Sequence, residues 1–336
     1  MNAIGTLFRV QLFGESHGPA VGVVVDGVPA GLPIVPADFE PDLARRRAGA
    51  PGTTPRAEAD VPELLSGVYR GMTTGTPLCA AFRNADARPA DYELFAAMPR
   101  PGHADWVSRI RYAGYADPRG SGHFSGRLTV GLVAAGVVAK KVLQGASFGA
   151  RVAEAGGRGD VDAAIAEAAA DGDSVGAIVE LRVAGLRAGL GEPFFGALES
   201  MAAAALFAVP GVRGVEFGDG FAAARMRGSE HNDPIVAPDG TTSKNGAGGV
   251  NGGVSNGNEL VVRVAMKPTS TIAKSQRAWD FDRGAVGELS APGRHDACIA
   301  VRGAVALEAA LAVVLADLEL QSLARGSSLR NGRIPS

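Results

Sequence analysis

Two runs rich in valine, leucine and phenylalanine lie near the start, TLFRVQLF at 6–13 and AVGVVVDGV at 20–28, and both predict β-strands. The polar stretch GESHG is then part of a strand-to-strand loop. LARRRAGAPGTTPR at 43–56 starts on a helix-like segment and runs into a Gly/Pro-rich loop, while 61–82 predicts short strands joined by Thr-Gly turns. A loop rich in charge and glycine follows at 100–127. It feeds the most apolar window, LTVGLVAAGVVAKKVL at 128–143, which two glycines interrupt and two lysines end. That window falls short of the roughly 18–20 apolar residues of a membrane span, so it predicts a buried helix.

Further along, 145–160 reads as a linker or surface loop, 160–172 as a helix, and 176–185 as a strand. A helix over 195–210 is stopped by Pro210, and 212–218 is another strand. The glycine- and asparagine-rich stretch 239–257 has the composition of a flexible loop. It leads into NELVVRVAMKPTST at 258–271, a strand ending in one lysine and three hydroxyl residues. Leu307, Leu311, Val314, Leu315 and Leu318 recur at helical spacing and predict a core helix from about 305 to 322. No long repeat is visible, and strands irregularly mixed with helices indicate an α+β fold rather than a regular parallel α/β one.

Of the 336 residues, 46% are hydrophobic and 20% charged, as in globular proteins with an ample core. A net charge of -2 gives no global attraction to nucleic acid or an anionic membrane. The first residues lack the basic and apolar blocks of a secretory signal, and Cys79 and Cys298 are far apart in no metal-ligand spacing. These features lead us to expect a cytoplasmic protein. The 47 glycines are about twice the usual share of roughly 7%. Many unusual backbone angles or close backbone approaches are therefore expected.

Gly14-Glu15-Ser16-His17-Gly18 fits the G-x-S-x-G pattern of a nucleophile elbow. An elbow needs a helix directly after the serine, whereas Pro19 and a valine-rich strand follow here. Ser16 is better read as a turn residue or a hydrogen-bond donor to a ligand, and His17 as the stronger chemical candidate. His103, His123 and His295 also lie in loop-like segments beside arginine and glycine. None forms a close H-x-x-x-H pair, so no metal site is expected. Arg45, Arg46, Arg47, Arg56, Arg100, Arg119, Arg127, Arg294 and Arg302 are available for an anionic ligand, with solvated surface charge as the alternative for each. Lys267 to Thr271 is a phosphate cradle or a polar turn. Neither G-x-G-x-x-G nor a P-loop motif is present.

Six stretches, in order, resemble chorismate synthase: FRVQLFGESHGPAVGVVVDGVPAGLPI, RPGHADW through GSGHFSGR to AAGVVAKKVL, GVEFGDGF, GGVNGGVSNG, MKPTST and GRHDACIAVRG. The resemblance runs through nearly the whole chain. It implies a lyase that converts 5-enolpyruvylshikimate 3-phosphate into chorismate and phosphate by an anti-1,4-elimination. The reaction needs reduced FMN but has no net redox change, and the resemblance places it with flavin and NADP biochemistry in the shikimate pathway. The implied fold is one domain over 1–336, a β-α-β sandwich with helices between antiparallel sheets, assembled as a homotetramer. The flavin would be reduced by an external reductant, and the partners would include neither nucleic acid nor membrane.

By matching motifs, the resemblance makes His17 the proton donor to the departing phosphate, sets His103 near flavin N1, and gives Asp296 a part in taking the lost proton. It assigns substrate binding to Arg46, Arg100 and Arg127. It assigns FMN contacts to His123, Phe124, Ser125, Pro210, Gly211, Gly252, Lys267, Pro268, Thr269, Ser270, Thr271 and Arg294.

Three departures stand out. His123-Phe124-Ser125-Gly126-Arg127-Leu128 replaces the Arg-Ser-Ser-Ala-Arg-Glu of many members, in a form similar to that of a shorter branch of the family. A basic residue usual after the triple arginine is missing, with Arg45 or Arg56 as substitutes. Val305 stands where a proline commonly opens the C-terminal helix, a loss of preorganisation at its first position. The alternative these changes raise is a flavin- or anion-binding homologue that lost turnover.

Overall fold

The computed structural model describes residues 2–49, 52–54, 58–85, 92–291 and 295–325. The chain begins with β1 (Ala3–Ile4), β2 (Arg9–Gly14) and β3 (Ala20–Asp26), then α1 (Glu40–Arg46), β4 (Glu63–Ser66), the short hairpin β5 (Val68–Tyr69) and β6 (Met72–Thr73), and β7 (Leu78–Arg83). Strands in the order β1-β2-β3-β7-β4 form an antiparallel sheet. Val21, Val23 and Val25 of β3 alternate onto its inner face and are fully buried. Next come α2 (Leu94–Ala97), α3 (Asp105–Arg111) and α4 (Thr129–Val142).

The second half supplies β8 (Ser147–Ala155), α5 (Val161–Ala170), β9 (Ala177–Ala184), α6 (Leu198–Phe207), β10 (Val212–Phe217) and α7 (Gly228–His231). The hairpin β11 (Val250–Asn251) and β12 (Val254–Ser255) precedes β13 (Leu260–Met266), the hairpin β14 (Gln276–Asp280) and β15 (Ala285–Leu289), and α8 (Ala300–Ala324). The second antiparallel sheet has the order β10-β13-β9-β8.

Between the sheets, α4 packs on β2, β3 and β7, and α8 packs on α4, β8 and β9. The layering is the β-α-β sandwich expected. The two glycines that interrupt α4 are its points of closest approach. A Cβ on Gly136 would lie 2.4 Å from the Cβ of Ala309 on α8, and one on Gly131 would lie 2.8 Å from the carbonyl of Gly22 on β3. From Ala304 to Leu318, α8 is buried on every side, as suits a helix at the centre of a sandwich. One apolar core runs through both sheets and these helices.

Several sequence expectations need correction. Residues 145–160 are no linker: most of the stretch is β8, where exposed and half-buried positions alternate and β9 supplies the hydrogen-bonding ladder. Its glycines and charges gave it loop composition. The loop at 100–127 contains α3, with Asp105 in its first turn and Arg109 and Arg111 in its last, signs that suit the helix dipole. The stretch 239–257 forms β11–β12 and is tied down by its own polar groups: Asn245 donates to the Glu259 carbonyl at 2.7 Å and accepts from the Gly249 amide at 2.8 Å. Finally, α8 starts at Ala300, so Val305 is a buried interior residue instead of the first helical position. Among the described residues, no helix is long and apolar enough to cross a membrane.

Candidate active site

A cavity of about 1020 Å³ opens beside α1, α3 and the 119–128 turns, and is closed on its other side by the starts of β10 and α8 and the end of β13. Arg46, Arg100, His103, His123, Phe124, Ser125, Arg127, Pro210, Gly211, Lys267, Pro268, Thr269, Ser270, Thr271 and Asp296 all line it. Residues spread over 250 positions of sequence thus converge on one wall system. His17 and Gly252 are not among its lining residues, and Arg294 lies outside the described residues. Gly252 turns the β11–β12 hairpin with φ 59° and has open space where a Cβ would be.

His17 lies directly behind the wall. The loop carrying it joins β2 to β3, and the Ser16 amide donates to the Gly122 carbonyl at 3.1 Å, docking the loop on the 119–124 turn. Gly120 and Tyr92 both line the cavity. A Cβ on Gly120 would stand 2.1 Å from His17 Nδ1, and the Tyr92 ring meets the imidazole edge-on at 5.1 Å between centroids. The absence of a side chain at Gly120 is what allows this imidazole to come so close to the cavity. Ser16 is fully buried, and β3 rather than a helix follows it, so the elbow geometry is absent.

The substrate arginines sit in two clusters. Arg46 projects from α1 and donates to Asp60 at 2.8 Å, to the Thr129 hydroxyl at 3.0 Å and to the carbonyls of Gly126 and Arg127. Arg127 donates to the other Asp60 oxygen and, at 2.9 Å, to Asn84. Burial pushes the Arg46 guanidinium down to about 9, with Asp60 opposing, which leaves it charged at neutral pH. In the second cluster Arg100 grips Asp105 with Nε at 2.8 Å and Nη2 at 2.7 Å, and its Nη1 reaches Thr271 at 3.0 Å. His103 Nδ1 donates to Asp105 at 2.7 Å. Burial alone would raise the Asp105 carboxyl; hydrogen bonds and charge from Arg100 and His103 outweigh it and hold the group far below the usual carboxylate range.

On the opposite wall, Asp296 accepts from the Thr54 amide at 2.9 Å and pairs with Arg302 at 3.2 Å. Arg302 also donates to the Arg46 carbonyl at 2.8 Å, which ties α8 to the end of α1. The 267–271 segment links these groups: Lys267 donates to Ser270 at 2.7 Å and to the Gly102 carbonyl, and Thr269 donates to the Asp296 carbonyl at 2.6 Å. Burial, helped by the charge of Arg213, pushes Lys267 below its ordinary value. His123 donates through Nδ1 to the Gly14 carbonyl at 2.8 Å, and Ser125 caps the turn before Arg127 by accepting its amide at 3.2 Å.

Arg45 does not replace the missing basic residue. Its guanidinium turns away to Glu308 at 2.7 Å and Asp42 at 3.2 Å, bracing α1 from behind, and Arg56 lies outside the described residues. Arg47, by contrast, does line the cavity. Sequence reasoning missed Asp60, Asp105, Tyr92 and Ser121. Asp105 was within reach, since it lies two positions after His103 in the same motif; the pairing of Asp60 with two distant arginines leaves no local signal.

Comparison with known proteins shows the family and the fold. The family model for chorismate synthase matches residues 8–320. The chain is 54% identical over 321 residues to chorismate synthase of Chitinophaga pinensis, covering 95% of this chain and 97% of that protein. It is 44% identical over 351 residues to chorismate synthase of Korarchaeum cryptofilum, with 95% and 97% covered. A crystal structure of chorismate synthase matches with a TM-score of 0.72 at 26% identity, covering 95% of this chain and 94% of that one. With sequence, fold and motif order in agreement over nearly its whole length, the chain belongs to the chorismate synthase family.

Proposed function

We propose that this chain is a shikimate-pathway lyase that converts 5-enolpyruvylshikimate 3-phosphate into chorismate and phosphate with reduced FMN. The observation that carries the proposal is the single cavity lined by Arg46, Arg100, Arg127, His103, Asp296 and the 267–271 segment together. A substrate with two carboxylates and a phosphate calls for such forked cations.

The residues present fit a flavin mononucleotide. Lys267 and the hydroxyls of Ser270 and Thr271 have the donor chemistry for a phosphate, and Phe124, Leu12 and Val107 give apolar surface for a ring system. Gly211 has φ 97°, and a Cβ there would fall 2.5 Å from Ile299, so glycine alone keeps that backbone edge open. Pro210, Gly211, His123, Phe124, Ser125 and Lys267 to Thr271 would hold the cofactor. When bound, the reduced flavin supplies the electron-rich ring that promotes loss of phosphate without net oxidation.

The protein's own residues then bind, orient and move protons. Arg46, Arg100 and Arg127 hold the anionic groups, and their carboxylate partners fix each guanidinium in place. We assign to His17, which stands behind the Gly120 and Tyr92 wall, the proton that reaches the departing phosphate oxygen, and to Asp296 a part in taking the proton lost from C6. His103 sets the local charge beside the ring. We further infer one domain over 1–336, a cytoplasmic homotetramer and an external reductant for the flavin. Leu128 is buried and Arg127 remains anchored, so the altered motif supports a variant site rather than loss of turnover.

Quenching of FMN fluorescence tests the cofactor assignment. Lys267→Ala is expected to weaken binding about tenfold, the scale of one charge-assisted bond. An unchanged affinity would remove the 267–271 segment from the site.

A further inference from the structure

Ser121 has a left-handed backbone, φ 69° and ψ 13°, between Gly120 and Gly122, whose φ values are 57° and 52°. Glycine adopts such angles freely, whereas a residue with a Cβ is strained by them. A serine at this position therefore calls for a contribution that glycine could not make. Its hydroxyl supplies one: Oγ accepts from Arg100 Nη2 at 3.0 Å, lies 3.5 Å from His103 Nε2, and belongs to a residue lining the cavity.

The tautomer of His103 follows from its other side. The Asp105 carboxylate, paired with Arg100 at 2.7 Å, only accepts, so Nδ1 carries a hydrogen, the 3.1 Å approach of Arg100 Nη2 to that nitrogen is a contact and not a hydrogen bond, and Nε2 of a neutral ring offers a lone pair towards Ser121. Donation from Arg100 occupies one lone pair of Oγ and polarises the hydroxyl, whose hydrogen is free to turn to Nε2. The charged groups facing this ring in the described contacts are Asp105 on α3, Arg100 in the preceding loop, and Lys267 at the end of β13, which bonds the neighbouring Gly102 carbonyl.

We propose that Ser121 is a positioning residue for His103: its hydroxyl holds the neutral Nδ1–H tautomer with Nε2 turned to the Ser121 side. The proposal rests on the reading of His103 as a residue of the working site, but its geometry can be tested without turnover. Removing the hydroxyl takes away a partner of the neutral form, so the imidazolium gains.

The experiment is an NMR titration of the full-length protein with ¹³C-labelled histidine, the His103 signal being assigned by its loss in His103→Asn. Ser121→Ala removes the hydroxyl and keeps the strained Cβ, whereas Ser121→Gly removes both. Each is expected to raise the His103 pKa by about half a unit, the scale of one weak neutral hydrogen bond. The acid limb of kcat/KM should move by the same amount, and Ser121→Gly should melt no lower than the parent protein. Should Ser121→Ala fold poorly, Ser121→Gly carries the measurement. A His103 pKa unmoved within about 0.2 unit in the folded variant overturns the role of Ser121 even if the enzyme turns over. A shifted pKa in a protein without turnover would instead uphold Ser121 and refute the proposed activity.

Discussion

Asp60 pairs with Arg127 through one carboxylate oxygen, while its other oxygen takes Arg46 at 2.8 Å, and the three side chains are 1%, 3% and 4% exposed. One carboxylate thus orients two arginines that line the cavity. Asp60→Asn leaves both guanidiniums buried without their counterion. Breaking a buried pair on one side typically costs about 3–5 kcal/mol, and we expect a loss of that size in unfolding free energy, read as a lowered urea midpoint at unchanged m. A variant as stable as the parent would show that solvent or another group already compensates the arginines.

Gly120 is the contact on which the position of His17 depends. An alanine there would be strained at φ 57° and would need the buried imidazole, 2.1 Å from the new Cβ, to move. Backbone strain and overpacking together predict a loss of about 2–4 kcal/mol. Displacing the imidazole should lower turnover roughly 100-fold, with much less effect on FMN affinity. Stopped-flow turnover and flavin titration on the same preparation check both parts, and full activity in Gly120→Ala would contradict the role given to His17.

Within GESHG the two polar residues are expected to separate cleanly. His17→Ala should lose about 10²–10⁴-fold in turnover, the range for a general acid. Ser16→Ala should retain most activity, because among the described residues its buried Oγ has no hydrogen-bond partner whose loss would be felt. Single-turnover rates of the two variants decide this; an inactive Ser16→Ala beside an active His17→Ala would reverse the assignment.

Acid sensitivity is expected from the brace behind α1. Burial is the largest influence on Glu308 and would raise its carboxyl, but hydrogen bonds and charge from Arg45 and Lys140 outweigh it, and the net shift is downward. A carboxyl depressed in the folded state contributes stability above its unfolded value of about 4.3, and that contribution fades as pH falls through the folded value. Stability should therefore drop below about pH 4 with a slope that Glu308→Gln reduces. Equal acid slopes in urea denaturation of the two proteins would contradict this linkage.

Legibility in the sequence followed the range of the interactions involved. The strands at 6–13 and 20–28 and the long C-terminal helix were readable because valine content and a leucine stripe report local geometry directly. β8 was not, since it has the glycine and arginine content of a loop and owes its strand form to pairing with β9. In the site, His103, Arg100 and the 267–271 segment could be nominated from residue type beside glycine. The bracing of Arg46 and Arg127 by Asp60 could not, because a buried carboxylate that serves two distant arginines has no periodicity of its own. Arg45 and Arg46 are neighbours of the same type, yet the helix turns one away from the cavity to the buried Glu308 and the other into the cavity.

The central claim is the elimination itself, and the direct measurement is anaerobic. Purified protein is mixed with 5-enolpyruvylshikimate 3-phosphate and chemically reduced FMN, and chorismate and phosphate are quantified together. The proposed reaction predicts one phosphate per chorismate, many turnovers for each flavin, and flavin still reduced at the end. No chorismate above the flavin-only control, in protein shown to bind FMN, would contradict it.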